Sequence, residues 1–404
     1  MPLVPDDPRP IPQGRDRLFV VSALGLVQIF SWGSSFYLLA VISTPMQADT
    51  GWPMTLITGG ISLALLVSGI SAVVVGRLIE AHGGRRVMAG GMCLLATGLA
   101  AIGLTSSSAV YLGAWVVMGM GMAAGLYDAG FATLGRIFGA QARGPISALT
   151  LWGGFASTVC WPLSALLVDA IGWRGACLSY AAIHLCGTAP ICLFALPRAA
   201  APLPPPKEGA GLSTSALRDP RFWLFGTGMM ISGGIASFWS THLITILTAQ
   251  GATLAAAVAL GAVIGPAQVG ARVLEMLGRG RHHPVWTTLA YATCGVLGFA
   301  GLWLGVPAML AFIAYGAGNG LWSIARGSLP LVLFGPERYP RIVGMLALPL
   351  FTASALAPLT GGLLIDRFGT GWAIPTSLAL ACIAFVIAVV LATGHVRGRS
   401  DPVR

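Results

Sequence analysis

Two side chains stand out for the chemistry they could do in their surroundings. Asp128 in GLYDAGF and Arg326 in LWSIARGS are an acid and a base deep inside long apolar runs, roughly 109–135 and 307–334. A charge in such a run is expensive unless it is paired or used, so each is a site candidate by default. A guanidinium offers a planar fork of donors that suits a carboxylate or another anion. A carboxyl taken out of water holds its proton more tightly, which suits a proton site or a site for a substrate cation. The same two residues could equally form a structural ion pair that locks two helices. A pair that substrate breaks would satisfy both readings.

Weaker candidates surround them. Gln28, Trp32 and Ser35 recur at helical spacing in the first apolar run and can share one face. His242, beside Ser240, Thr241 and Thr245, is either a proton relay, since histidine titrates near neutrality, or a hydrogen-bonded packing residue. Asn319 is a substrate contact or an interhelical hydrogen bond, and His184 reads as structural. His282-His283 lacks two further ligands, and the seven cysteines are scattered without CxxC spacing, so neither a metal nor a cofactor is expected.

The elements that must carry these residues follow from composition. Of 404 residues 56% are hydrophobic and only 9% charged, with a mean hydropathy of +0.82. A chain this apolar cannot cover itself with polar surface, so its solvent is lipid. Twelve apolar runs of roughly helix-spanning length lie between residues 18 and 393, which reads as an all-α membrane protein of twelve transmembrane helices. The N-terminal MPLVPDDPRPIPQGRDR is too acidic and proline-rich for a signal peptide. The pI near 9.8 does not point to nucleic acid, because the basic residues flank the spans. Nineteen Lys and Arg fall on the side of the N-terminus, Arg174 and Arg367 on the other, and Arg272 and Arg326 in or near spans. That bias predicts an N-in, C-in topology.

The longest polar stretch, PRAAAPLPPPKEGAGLSTSALRDPR, is a proline-rich linker. It divides the chain into a six-helix bundle at 1–196, the linker at 197–221 and a second bundle at 222–404. The halves echo each other: Arg77 and Arg272, Glu80 and Glu275, and Gly125-Leu126 and Gly320-Leu321 are each 195 residues apart. Two pseudo-symmetric parallel repeats imply a central site between them. Tyr127 and Trp322 are also 195 apart, and Arg326 lies three residues past the repeat partner of Asp128. Three residues are nearly one helical turn, so acid and base can meet at similar depth, each with an aromatic neighbour.

GRLIEAHGGRR, between the second and third runs, resembles the loop motif of the Major Facilitator Superfamily, Gly-x-Leu-Ala-Asp-Arg-x-Gly-Arg-Arg/Lys. Gly76, Leu78, Glu80 in place of the acid, Gly83 and Arg85-Arg86 match it, whereas Ala81 and Gly84 depart. The resemblance implies that spans one, four, seven and ten line a cavity and that access to it alternates. It further implies that Gly76 lets the halves pack closely, while Glu80, Arg85 and Arg86, with Arg77 alongside, latch the cytoplasmic side. ARVLEMLGRGR, with Arg272, Glu275 and Arg281, reads as a looser copy of that latch.

Within the superfamily, TGWPMTLITGGISLALLVSG, GMGMAAG and ARGPISALTLWGGFASTVCWPLSALLVDAIGWRGA are similar to the monocarboxylate-porter and oxalate–formate exchanger group. That group usually carries an Asp and an Arg in span eight, yet Thr253 to Gly270 holds no charge. The drug–proton antiporter pattern is replaced at Trp161 to Leu166, and its span-four arginine corresponds to Trp115. Two functions stay open. One is a transporter, proton-coupled, for a small organic anion such as a monocarboxylate. The other is an exporter of drug-like or toxic inorganic compounds, to which Met118, Met120 and Met122 would suit an adaptable cavity. No nucleotide loop, paired catalytic carboxylates or metal-spaced cluster supports an enzyme. The expected partners are a small-molecule substrate, protons and the lipid bilayer. The expected form is a functional monomer, as a multi-pass protein of a bacterial inner membrane.

Overall fold

A computed structural model describes residues 12–197, 217–278 and 282–400. Most of the linker, and Arg279 and Arg281 of the repeated turn, lie outside the described residues. Helices account for the fold, with no strand among the described residues. In the first half these are α1 (Gly14–Ser34), α2 (Leu39–Thr50), α3 (Met54–His82), α4 (Gly84–Leu104), α5 (Ser108–Gly125), α6 (Tyr127–Phe138), α7 (Arg143–Gly154), α8 (Ala156–Ile183) and α9 (Ala189–Ala195). The second half adds α10 (Pro220–Ala249), α11 (Leu254–Leu277), α12 (Pro284–Trp303), α13 (Ala308–Phe334), α14 (Tyr339–Phe368) and α15 (Ala373–Ser400).

Among the described residues, ten stretches are long and apolar enough to cross a membrane. The longest, Ser108–Ala195, has 88 residues and carries the expected spans four, five and six. As one helix it would extend about 130 Å, against a hydrocarbon core of about 30 Å. It folds back instead, at Gly139 and at Gly172, where φ is 54° and 75°. Those left-handed values are strained for residues with a Cβ, which is why glycine marks both turns. Large apolar side chains stand exposed on the outer surface, among them Phe194, Leu274 and Leu277. In water that surface would be a liability; in lipid it is the contact surface.

One hydrophobic cluster runs from Val20 to Leu196 and reaches across to Leu331, Tyr339, Val343, Ala347, Phe351 and Ala355; a second runs from Phe222 to Ala392. The crossing residues belong to α13 and α14, and α3 packs along α14. The approach is closest near the end of α3. A Cβ placed on Gly76 would stand 2.6 Å from the Pro340 carbonyl oxygen, and one on Gly344 would stand 2.4 Å from that of Ala72. Glycine here allows backbone to lie on backbone, as small residues do between membrane helices.

Candidate functional site

The site begins with a broken helix. Leu126 is extended (φ −84°, ψ −170°) between α5 and α6, so the expected fourth span is two helices meeting at Gly125-Leu126. A break inside apolar surroundings frees backbone polar groups that need partners. Gln28 supplies one, its Nε2 donating to the Gly125 carbonyl at 2.9 Å. The break also places Asp128 in the first turn of α6, where the positive end of the helix dipole favours a carboxylate.

Opposite stands Arg326, in the middle of α13. Its Nη2 donates to both carboxylate oxygens of Asp128, at 2.7 and 2.8 Å, and the two side chains are 5% and 6% exposed. Its guanidinium lies 5.3 Å from the Trp322 ring, 5.9 Å from Tyr127 and 6.0 Å from Phe131, where the ring faces attract a cation. Tyr127 and Phe131 are themselves stacked, 5.3 Å apart. The acid and base expected from the sequence thus meet directly, and both of their repeat-related aromatics sit against the arginine. Arg326 Nε has no hydrogen-bond partner, so one donor remains unused beside the carboxylate.

Arg272, set in or near a span by the sequence yet grouped with the latch, lies deeper than a latch residue would. The resemblance assigns it to the cytoplasmic turn as part of a latch. Instead α11 continues five residues beyond it, to Leu277, and Arg272 is 5% exposed between the halves. Its Nε donates to Ser323 Oγ at 3.0 Å, its Nη1 to the Thr150 carbonyl at 3.1 Å and its Nη2 to Gln268 Oε1 at 3.4 Å. All three acceptors are uncharged. The same Thr150 carbonyl accepts the Tyr127 hydroxyl at 3.1 Å, and Ser323 is one turn of α13 before Arg326. Arg272 therefore adjoins the Asp128–Arg326 pair as a buried positive charge with no carboxylate among the described residues to balance it. Thr253 to Gly270, where the sequence lacks charge, ends two residues short of it. The signal is its place inside an apolar run that continues to Leu277, which the resemblance to the latch motif overrides.

The remaining turn residues separate into two groups. Gly76 and Gly83 shape the end of α3, Gly83 with φ 75°. Glu80 lies among the charges of Arg341, Arg136 and Arg77. Arg85 is half-buried and Arg86 exposed at the start of the next helix. Glu275, expected beside Arg272, instead accepts from Arg143 Nη2 at 3.5 Å, His282 Nε2 at 3.0 Å and Thr287 Oγ1 at 2.8 Å. Arg143 also donates to the His282 carbonyl. Because Arg143 starts α7 and Glu275 ends α11, this cluster ties the two halves of the chain, and His282 belongs to it rather than to a free loop face.

Other candidates are placed less centrally. The Trp32 ring lies 5.2 Å from Tyr127, tilted at 53° to it, with its indole N–H buried and unpartnered. Asn319 lines a cleft within the second half together with Trp322. His242 Nε2 is 2.9 Å from the Pro358 carbonyl and its ring packs on Phe238, a contact between α10 and α14. His184 is buried between Ser34 Oγ (2.7 Å) and Thr188 Oγ1 (2.8 Å), at a π-helical turn. Met118 and Met122 are fully buried, and Met118 packs on Gly98 of α4, not toward the paired charges. Among the described residues no group of His, Cys, Asp or Glu has the arrangement of a metal site.

Comparison with known proteins places this architecture. Residues 24–348 match the Major Facilitator Superfamily. Human monocarboxylate transporter 11 is 28% identical over 369 residues, 87% of this chain and 69% of the relative. Among solved structures, a variant of the E. coli fucose:proton symporter FucP superposes with a TM-score of 0.74 at 12% identity, covering 96% of this chain and all of that one. The human organic anion transporter MFSD10 gives 0.72 at 15% identity over 93% and 100%. The proton:xylose symporter XylE gives 0.66 at 13% identity over 93% and 95%. The chain belongs to the Major Facilitator Superfamily, and it is a multi-pass membrane transporter of small molecules rather than an enzyme.

Proposed function

We propose that the protein is a proton-coupled symporter for small, monocarboxylate-like organic anions. It works by alternating access as a monomer in the plasma membrane. In this reading the chain crosses the membrane twelve times with both termini in the cytoplasm, and bundles 1–196 and 222–404 rock about the linker 197–221. The lysine and arginine bias supports the orientation, and the three spans folded into Ser108–Ala195 support the count.

The observation that carries the substrate class is Arg272. A buried guanidinium held only by neutral oxygens is an anion site waiting for its charge, since leaving it unbalanced costs several kcal/mol in a low dielectric. Arg326 begins neutralised by Asp128. When Asp128 takes a proton, Arg326 is released and a second fork of donors faces the same space. One carboxylate entering with one proton leaves the site's net charge unchanged, so both must move together. Tyr127, through the Thr150 carbonyl and the Arg326 ring contact, links the two arginines. Trp32, Gln28 and Asn319 line or support that space, while His242 acts as a packing contact. At the turn end, Gly76, Glu80 and the Arg143–Glu275 tie close the cytoplasmic side. The relative named for monocarboxylates supports the same substrate class. Of the methionines behind the exporter reading, Met118 packs on Gly98 of α4 rather than on the paired charges.

Reconstituted protein with an inward acid gradient and labelled short carboxylates tests this. Accumulation is expected, with Asp128→Asn abolishing accumulation while retaining exchange. Gradient-driven accumulation by Asp128→Asn at the wild-type level would overturn the coupling assignment, and no uptake of any carboxylate would overturn the substrate class.

A further inference from the structure

Behind the close approach of α3 and α14 stands a group of charges that does not balance. Glu80, in the last turn of α3, has three guanidiniums acting on it: Arg341 of α14, Arg136 of α6 and Arg77 of α3 itself. Packing gathers them there. The Arg341 Cα lies 3.4 Å from where a Cβ on Gly76 would stand, and Gly135, the residue before Arg136, packs under the Tyr339 ring. Glu80 is the acid whose charge acts on Arg136. Among the described residues no salt bridge joins it to any of the three arginines.

A purely structural role would use the donors. Arg136 sits in the last turn of α6, where free carbonyls favour a cation. Yet Arg136 Nε and Nη2 and Arg341 Nε are buried and have no hydrogen-bond partner. Folding has taken water from these donors and put no acceptor in its place, which costs free energy until an acceptor arrives. The group is not sealed. Glu80, Arg136 and Arg341 are half-buried and Arg77 is exposed, so an anion meets them from the surface, away from the deeply buried Arg272 and Arg326.

We propose that this cluster is an oxyanion site, filled by a phosphate group lying between Arg136 of the first half and Arg341 of the second. A phosphate group carries up to two negative charges, and its oxygens point in several directions. It can therefore accept from guanidiniums on different helices, whereas a carboxylate offers two oxygens in one plane. Because its two main partners come from opposite halves, the bound group stabilises the arrangement in which α3 and α6 meet α14. Inorganic phosphate and a phospholipid headgroup share this chemistry.

Thermal unfolding of the full chain in neutral detergent, with sodium phosphate against sodium chloride of equal ionic strength, tests the site. Phosphate at about ten times its Kd should raise Tm by roughly 2 °C over chloride. Arg136→Gln and Arg341→Gln should each need roughly ten-fold more phosphate for the same rise, and two variants keep the test open if one fails to fold. Arg272→Gln should respond as the wild type does. Micelles containing phosphatidylglycerol or phosphatidylcholine separate the sources. Free phosphate as occupant gives its full effect with either lipid. A headgroup as occupant gives a raised Tm with phosphatidylglycerol that Arg341→Gln loses, and phosphate then adds nothing. No rise from phosphate or from phosphatidylglycerol overturns the proposal, as does a rise that persists in both Arg136→Gln and Arg341→Gln.

Discussion

The turn after α3 and the turn after α11 occupy equivalent places in the two halves of the chain, yet they hold the halves together by different physics. At the first, Gly76 of α3 lies against Pro340 and Gly344 of α14, backbone on backbone, with the charges of Glu80, Arg136 and Arg341 gathered behind. At the second, the position of Gly76 is Ala271, the close approach is gone, and the joint is made by side chains: Arg143 to Glu275, with His282 and Thr287. Dispersion between close helices is indifferent to salt, whereas a half-buried ion pair is weakened by it. The difference shows what repetition left free. Where one turn makes a tight joint, the other turns its arginine inward, and Arg272 lies buried against the Thr150 carbonyl of the other half.

The largest expected effect is from Gly76→Val. Its side chain has no room beside Pro340 and Gly344, so overpacking should cost about 1–3 kcal/mol and drive α3 from α14. Thermal unfolding and a several-fold loss of transport would register it; a variant of wild-type stability and activity would show that the joint is not tight. Glu275→Gln comes next. It removes the acceptor charge of the second joint and should cost about 1 kcal/mol, less in high salt. Wild-type stability that falls equally with salt in this variant and its parent would dissolve the contrast between the joints. Ala271→Gly asks whether glycine alone makes the first joint. No tightening is expected, only the ~0.5–1 kcal/mol helix penalty, and a gain in stability would contradict the comparison.

The smallest effect lies away from both turns, where Asp219 caps α10. The Arg221 guanidinium and backbone N–H beside it hold its carboxyl below the usual carboxylate range. A depressed carboxylate contributes stability above its unfolded pKa and loses it as pH falls through the folded value. Loosening of the start of α10 should therefore appear only in acid, below about pH 4, and hydrogen exchange at Phe222 and Trp223 would follow it. Exchange that rises already near pH 6 would point to another group.

Much of this was legible in the residues. The apolar composition points to a membrane helix bundle, and the 195-residue offset sets Asp128 and Arg326 within a helical turn of equivalent positions. The spacing of Gln28 sets it on an inward face, but not against the carbonyl freed at Gly125. The break at Leu126 carries no local signal except a glycine before it, because what stabilises it is Gln28, 97 residues away. Arg272 and Glu275 read as one unit in the sequence, since they sit three residues apart on one helix. Their partners, Thr150 and Arg143, come from the other half of the chain, and sequence periodicity says nothing about how α7 crosses α11. Charges inside a helix announce themselves, whereas a charge near a helix end is ambiguous until its neighbours across the interface are known.

The central claim is that Arg272 is the anchor for a carboxylate. Its most direct test is the apparent affinity for acetate in equilibrium exchange, measured for the wild type, Arg272→Lys and Arg272→Gln in proteoliposomes without a pH gradient. A loss of roughly 10–100-fold is expected for Arg272→Gln, the worth of a charge-assisted pair, with partial retention in Arg272→Lys. A folded Arg272→Gln protein that exchanges acetate with wild-type affinity would contradict it.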